Sequence, residues 1–296
     1  MSRCGMVAIF GCPNVGKSTL LNRLLGQKLS ITSRKPQTTR QRILGIHTEG
    51  ETQVVYVDTP GLQARPARAL NRSMNREALG ALQGVDLVLF VVQAGRWTEV
   101  DDHALAQAQA SGLPVILAVN KVDLCKEKGT LLPVLQDLAA RHAFHDIVPV
   151  SARNGDNVEV LRRCIVALLP EREHLYDGDQ ISDRGERFFV AEIVREKLIR
   201  MLGEELPYAT TVVIDEFKDE EPMTRIAATI WVERSGQKPI VVGKGGQMLR
   251  RIGEQARHDI ERFLGRKVFL QTWVRVKENW SDDSRLLRQL GIDAAD

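Results

Sequence analysis

Nine residues near the start of the chain carry its most specific chemistry. Gly11-Cys12-Pro13-Asn14-Val15-Gly16-Lys17-Ser18-Thr19 reads G-x-x-x-x-G-K-S-T. A glycine-bearing turn of this spacing presents backbone N–H groups to an anion, and a helix that starts at its end adds positive potential there. Gly11 and Gly16 let the chain approach phosphates without a side chain in the way. The Lys17 ammonium suits the β- and γ-phosphates of a nucleotide, and the Ser18 hydroxyl suits Mg2+.

Three further groups can complete such a site. Asp58-Thr59-Pro60-Gly61-Leu62 offers a carboxylate that holds Mg2+ through water and, at Gly61, an N–H for a γ-phosphate. Alone, this stretch reads better as an ordinary Pro-Gly turn. Asn120-Lys121-Val122-Asp123 offers base discrimination. The Asp123 carboxylate is a pair of acceptors that matches the N1–H and N2–H2 donors of guanine. Adenine has no such donor pair, and a site built for one partner rejects the other strongly. Asn120 can tie the base to the glycine loop, and the Lys121 stem can pack on its face. Ser151-Ala152-Arg153 offers a backbone N–H to guanine O6. Between the loop and Asp58 runs the polar, aperiodic stretch Ser33–Arg40. A threonine there can close over Mg2+ when a γ-phosphate is present and let go once it is lost. Thr38 and Thr39 both qualify.

The elements that must position these groups alternate. Apolar runs at Met6–Phe10, Ile43–His47, Gln53–Val57, Asp86–Val92, Val115–Val119 and Ile147–Val150 read as strands. Helical spacing follows at Lys17–Leu25, Leu70–Leu82, Asp101–Ala110, Leu131–His142 and Val158–Leu169. That rhythm predicts an α/β domain of three layers with a mostly parallel sheet. In such sheets ligands lie at the carboxyl ends of the strands, where the motifs above fall.

The composition is that of a globular protein: 296 residues, 43% hydrophobic, 27% charged, net charge +3. Cys4, Cys12, Cys125 and Cys164 are scattered without a CxxC pair, which argues against a zinc site or a disulfide framework and fits a reducing cytoplasm. No apolar run reaches the length of a membrane span, and the first residues lead straight into a strand. Peripheral contact with the inner face of a membrane is left open.

Charge is unevenly distributed. From Arg234 to Lys277 there are eleven Lys/Arg against three acids, a net of +8. The rhythm changes here too. A turn-rich stretch near Pro170–Ser182 reads as a linker. A helix over Phe188–Leu202 carries Phe189, Ile193, Leu198 and Leu202 on its apolar side, and Thr210–Ile214 and Arg225–Val232 are β-rich, with Lys218–Pro222 as a turn. The glycine loop Gly243-Lys244-Gly245-Gly246 then leads into a helix that offers Arg250 and Arg251 outward, and a strand at Lys267–Val276 closes the unit. Glycines between two helix ends admit a nucleic-acid backbone, and the surrounding cations suit phosphates. Beyond it, Ser281 is placed to cap a terminal helix. Trp231 and Trp273 read as packing residues, and Trp280 as either packing or base stacking.

These motifs resemble known families. The five motifs over residues 5–170 resemble those of translation-factor-related GTPases, which implies GTP and Mg2+ as ligands. That resemblance makes Thr39 the switch threonine beside Ser18 and Asp58 at the metal, with Lys17, Thr39 and Gly61 carrying catalysis. It also exposes a departure: Leu62 stands where Ras-like proteins place a water-orienting glutamine. In the branch with a hydrophobic residue here, hydrolysis is slow, and some members use K+ held by the loop asparagine, which here is Asn14. The order α-β-β-α-GxxG-α-β resembles a type II KH domain, which clamps about four nucleotides at its GxxG loop.

Together with Glu204-Glu205-Leu206-Pro207-Tyr208 and the tail, the whole chain resembles the Era family of bacterial GTPases. That implies a GTPase domain at 1–172, a linker at 173–186, an RNA-binding KH domain at 187–280 and a C-terminal helix and tail at 281–296. It also implies a cytoplasmic monomer that binds single-stranded RNA near the 3′ end of 16S rRNA and assists 30S subunit maturation. Two rivals remain. A P-loop kinase or ATPase is disfavoured by Asn120–Asp123. A binding module with an inert nucleotide domain would show no turnover to lose on Lys17→Ala.

Overall fold

In the computed structural model, residues 2–33, 35–125, 129, 131–203 and 206–292 are described. Arg34, Glu204 and Glu205, quoted above, lie outside the described residues. The chain forms two compact units. The first comprises Met1–Ser30, Thr39–Ala67 and Asn71–Asp183, and the second Ile31–Thr38, Arg68–Leu70 and Arg184–Asp296.

The first unit follows the alternating pattern: β1 (Arg3–Phe10), α1 (Lys17–Leu25), β2 (Ile43–Glu49), β3 (Thr52–Asp58), α2 (Ala69–Gly80), β4 (Leu87–Gln93), α3 (Glu99–Ala110), β5 (Val115–Asn120), α4 (Leu131–Arg141), β6 (Asp146–Pro149) and α5 (Val158–Ala167). The strand order is β2-β3-β1-β4-β5-β6. Only β2 runs antiparallel to its neighbour, β3. The central strands are buried on both faces, which is why β4 and β5 read as continuous Val/Ile/Leu runs. The stretch expected as a linker is tied to this sheet. Gln53, fully buried in β3, accepts from the N–H groups of Leu175 and Tyr176 and donates to the Tyr176 carbonyl at 2.8 Å. Ser182 Oγ donates to Leu44 O at 2.6 Å. A buried carboxamide with satisfied donors and acceptors fixes where this strap lies.

The second unit runs α6 (Glu186–Met201), β7 (Thr210–Glu220), β8 (Met223–Val232), α7 (Lys238–Val242), α8 (Gln247–Leu264), β9 (Val268–Val276) and α9 (Ser284–Gln289). Its three-stranded sheet has the order β7-β8-β9, antiparallel then parallel. One face packs on α6 and α8 through Val190, Val194, Leu198, Ile226, Ile230, Val274, Ile252, Ala256 and Ile260. On α8, Ile252, Ala256 and Ile260 are buried, and Leu249 and Phe263 of the same apolar face are partly buried.

Three sequence expectations need correction. β7 does not stop at Ile214; it pairs with β8 as far as Glu220–Met223, past an irregularity between Ile214 and Glu216. Pairing overrides the poor strand propensity of Lys218-Asp219-Glu220, whose side chains are exposed at the hairpin end. The cap of α9 is Asp283, whose carboxylate accepts from the N–H groups of Arg285 and Leu286; Ser281 is buried and bonds Glu233 instead. The tryptophans also divide differently. Trp280 is fully buried and donates to Ala209 O at 3.1 Å, so it packs. Trp273, expected to pack, is 43% exposed on β9.

α6 is not simply amphipathic either. Arg195, Glu196 and Lys197 are buried in succession, and each has partners within the second unit. Arg195 donates to Glu192 and to Thr38 O. Glu196 accepts from Thr32 N at 3.1 Å and from Arg200 at 2.9 Å. Lys197 pairs with Asp259 of α8. Lys35 Nζ donates to Leu202 O at 2.6 Å, at the carboxyl end of α6. The segment Ile31–Thr38 is therefore held by ionised side chains of α6.

Candidate nucleotide and nucleic-acid sites

The glycine loop of the first unit joins the end of β1 to the start of α1, with Gly16 at the helix N-cap in a left-handed conformation. Its glycines are required by space as well as by dihedral angle. A Cβ on Gly11 would lie 2.4 Å from Val91 O, and one on Gly16 would lie 2.3 Å from Asn120 Nδ2. Lys17, 6% exposed, folds its ammonium into the loop and donates to Gly11 O at 3.0 Å and Cys12 O at 2.8 Å. Burial lowers its pKa to about 8, opposed by the charges of Asp58, Cys12 and Asp101. Cys12 is buried beside Asp101, and burial pushes its thiol up, so it stays a neutral packing group.

Three oxygen-bearing side chains converge beside Lys17. Ser18 Oγ lies 2.7 Å from Thr39 Oγ1 and donates to Asp58 Oδ2 at 2.9 Å. Thr39 Oγ1 is 3.5 Å from the same carboxylate oxygen. Thr38 is elsewhere: its hydroxyl bonds Ser33 and Lys35 O. Asp58 is fully buried, and burial raises its pKa against the pull of Lys17 and of hydrogen bonds from Ser18, Ser30 and Thr39. Its second oxygen, Oδ1, is buried with no hydrogen-bond partner. A buried carboxylate with a spare oxygen beside the Ser18 and Thr39 hydroxyls is an all-oxygen donor set that suits a hard divalent cation. The residues present therefore fit Mg2+.

The base-selecting motif is braced to the glycine loop. Asn120 Nδ2 donates to Val15 O at 2.8 Å, and its Oδ1 accepts from Ala152 N at 3.0 Å. Lys121, with φ 66°, donates to Asn14 O at 2.5 Å and to Gln93 Oε1 at 2.8 Å. Asp123 accepts from Ser151 Oγ at 2.7 Å through one oxygen. Gly11–Thr19, Asp58–Leu62, Asn120, Lys121, Asp123, Ser151 and Ala152 thus meet at the carboxyl ends of β1, β3, β5 and β6. Gly61 abuts the loop so closely that a Cβ there would stand 2.5 Å from Pro13. Leu62 is fully buried, its N–H donating to Gly11 O at 3.3 Å.

Some contributors were not read from the sequence. Asn22 of α1 accepts from Leu29 N and Ser30 N and donates to Ser30 O. Asn75 of α2 clamps Gln63 in the same two-way fashion. Ser30 donates to Asp58 at 3.0 Å, and Gln93 steadies Lys121. No short motif marks them; an asparagine inside a helix with a polar loop nearby was the one available hint.

The second glycine loop lies between α7 and α8. Gly243, Gly245 and Gly246 all have positive φ, at 73°, 58° and 77°. A Cβ on Gly243 would meet Met248 at 2.7 Å, whereas Gly245 and Gly246 face open space. Lys244, Arg250 and Arg251 are exposed around the loop. The loop is shaped to receive a backbone, and its cations are free to reach phosphates.

Comparison with known proteins agrees with both halves. A family model described as a 50S ribosome-binding GTPase matches residues 6–121, and a KH domain model matches residues 205–281. GTPase Era of Stenotrophomonas maltophilia is 53% identical over 290 residues, covering 98% of this chain and 97% of its own. GTPase Era of Pseudomonas aeruginosa is 55% identical over 290 residues, with 98% and 95% covered. A variant of Aquifex aeolicus Era bound to GDP–AlF4 superposes with a TM-score of 0.95 at 39% identity, covering 99% of this chain and 100% of that one. Era in complex with MgGDPNP and nucleotides 1506–1542 of 16S ribosomal RNA superposes with a TM-score of 0.96 at 38% identity, again covering 99% and 100%.

Proposed function

Because the chain belongs to the Era family of GTPases, we propose that it hydrolyses GTP as a switch that controls binding of single-stranded RNA near the 3′ end of 16S rRNA during 30S subunit maturation in the cytoplasm. The observation that carries this reading is the pairing, in one chain, of a guanine-selecting carboxylate braced to a phosphate loop with a glycine loop opening beside exposed arginines. The solved Era complex with a 16S rRNA fragment supports the choice of RNA.

Within the first unit, catalysis rests on positioning and charge. Lys17 is held by two backbone carbonyls, which are weaker acceptors than phosphate oxygens; on binding GTP its ammonium turns to the β- and γ-phosphates. Gly61 N–H and the N–H groups of the loop act as donors to phosphoryl oxygens. Ser18, Thr39 and Asp58 would hold Mg2+, which when bound would supply positive charge beside the phosphates. No carboxamide stands at position 62, so Leu62 only keeps bulk water out. Basal turnover is therefore slow and open to acceleration by a partner. The exposed Asn14, at φ 62°, suits a K+ requirement; equal rates in Na+ and K+ would remove that element.

Loss of the γ-phosphate releases Thr39. The next residue back, Thr38, has its carbonyl held by Arg195 of α6. That adjacency supports a link between nucleotide state and the second unit.

The test is RNA binding at fixed salt, using an oligomer matching the 16S 3′ end against a scrambled control, for wild type and Gly245→Asp. A carboxylate at a glycine site facing the RNA backbone is expected to weaken the matched oligomer about tenfold or more. Equal binding of matched and scrambled RNA, unaffected by the substitution, would reduce the basic segment to a nonspecific anchor and overturn the ribosomal reading.

A further inference from the structure

Among the described residues, three hydroxyls approach one oxygen of Asp58, and only two of them belong to the metal set described above. Ser18 Oγ and Thr39 Oγ1 lie 2.9 and 3.5 Å from Oδ2. The third is Ser30, which is 1% exposed and donates to the same oxygen at 3.0 Å. Ser30 stands outside every phosphate, metal and base motif of the sequence.

A side chain of α1 holds Ser30 in place. The helix ends at Gly26, whose left-handed conformation, φ 69°, turns the chain back along the last turn. Asn22 sits in that turn and meets the returning backbone. Its Oδ1 accepts from Leu29 N and Ser30 N, both at 2.8 Å, and its Nδ2 donates to Ser30 O at 2.7 Å. One carboxamide thus fixes the Ser30 peptide groups on both sides of its Cα. A carboxylate at position 22 could not donate to the carbonyl, and an aliphatic side chain would leave all three groups without this partner. Asn22 also follows Ser18 by four residues, which puts both on one side of α1. That side of the helix supplies the Ser18 hydroxyl directly and the Ser30 hydroxyl through Asn22.

Ser30 and Thr39 are not equivalent. They bracket Ile31–Thr38, the segment that belongs to the second unit. Thr39 follows that segment, reaches Oδ2 only at 3.5 Å, and lets go when the γ-phosphate is lost. Ser30 precedes it and is clamped to α1, an element with no reason to move with the γ-phosphate. A carboxylate turns about its last torsion with little resistance. Two donors on Oδ2 from a fixed helix and a fixed loop keep it from turning, and they leave Oδ1 as the oxygen with no partner in the protein. Outer partners of this kind typically tune metal affinity without touching the metal.

We propose that Ser30, held by Asn22, is a positioning residue of the metal site: it keeps the Asp58 carboxylate aligned after Thr39 has let go, and so sets how firmly Mg2+ is retained with GDP. The proposal rests on the GTPase and Mg2+ reading of this carboxylate and deepens it. It divides the hydroxyls around Asp58 by task, with Thr39 reporting the γ-phosphate and Ser30 serving in every nucleotide state.

The experiment uses the full-length protein and fluorescent GDP or a fluorescent non-hydrolysable GTP analogue. Nucleotide release is followed by stopped flow across a series of buffered free Mg2+ concentrations and in excess chelator. The readout is the free Mg2+ concentration that gives half of the slowing of release. Ser30→Ala is expected to raise that midpoint about tenfold with GDP and about threefold with the analogue, where Thr39 still supports the carboxylate. Release in chelator should stay at the wild-type rate, which also shows that the nucleotide site is folded. Ser30→Thr keeps the hydroxyl and should restore the midpoint. Asn22→Ala leaves the hydroxyl but frees its backbone, so it should shift the GDP midpoint in the same direction by about threefold; it gives an independent reading should Ser30→Ala fold poorly. A GDP midpoint unchanged in both Ser30→Ala and Asn22→Ala would overturn the proposal. So would equal acceleration of release with and without metal, which would make Ser30 a support of the nucleotide pocket alone. If release from wild type did not respond to Mg2+ at all, the metal reading of Asp58 would itself fall, a result distinct from either of these.

Discussion

The loop at Gly11–Thr19 already has its interior partners in place, whereas the loop at Gly243–Gly246 leaves its surroundings open. In the first, Lys17 sits on two carbonyls, Asn120 joins Val15 to Ala152, and Asp58 gathers three hydroxyls. In the second, a Cβ on Gly245 or Gly246 would touch nothing within 4 Å, and the nearby cations are exposed. The contrast follows from the ligands. A nucleotide is small, so selectivity demands an enclosed cradle whose walls are tied to one another, and glycine is needed there because the protein itself leaves no room. A polymer must enter from the side and leave again, so its loop needs glycine for positive φ and empty space. Energy at the first site comes from preorganised dipoles; at the second it comes from counterion release and stacking spread over many residues.

Substitutions at matched points of the two loops test this contrast. The largest expected effect is Lys17→Ala, which removes the charge poised at the phosphates. Turnover should fall at least about a hundredfold, while nucleotide-free RNA binding stays at the wild-type level, as read by phosphate release and anisotropy on the same preparation. Next is Asp123→Asn. The carboxamide turns a donor toward the donors of guanine, so GTP affinity should weaken about a hundredfold, and xanthine nucleotides, which offer an acceptor at that edge, should gain.

A smaller but more diagnostic pair is Gly16→Ala against Gly245→Ala. Both glycines have positive φ, so both substitutions carry a cost of roughly 1–2 kcal/mol for the left-handed conformation. Gly16→Ala adds a clash with Asn120 at 2.3 Å, so its thermal midpoint should drop clearly further; equal drops would refute the claim that space distinguishes the loops. Smallest is the removal of Arg250 or Arg251 by alanine. RNA affinity should weaken across all sequences, with the slope of log K against log salt reduced by about one for each phosphate left without its cation. An unchanged slope would take that arginine out of the interface.

The first site was far more legible in the sequence than the second. Its ligand touches short consecutive stretches, and two of them, Gly11–Thr19 and Asn120–Asp123, had a spacing tied to chemistry. What the sequence did not disclose there were the braces: Asn22, Asn75, Ser30 and Gln93 act across loops and between elements, where only the folded chain brings polar pairs together. Thr38 and Thr39 were equal in type, and the backbone decides which one faces Ser18. In the second unit the topology was readable from element order. The exposure of Trp273 was not, because period-2 alternation on an edge strand does not say which face lacks a helix. The Arg195-Glu196-Lys197 run lies between the apolar positions read for α6 and is buried by ion pairs and by the segment Ile31–Thr38.

The central claim is that nucleotide state at the first loop governs RNA binding at the second. The most direct measurement is the affinity of full-length protein for the 16S 3′-end oligomer at one fixed salt concentration, saturated with a non-hydrolysable GTP analogue or with GDP. The account predicts tighter binding with the analogue by at least about fivefold, the lower range of coupling between two linked sites. Identical affinities in the two nucleotide states would contradict it, leaving two well-built sites on one chain with no switch between them.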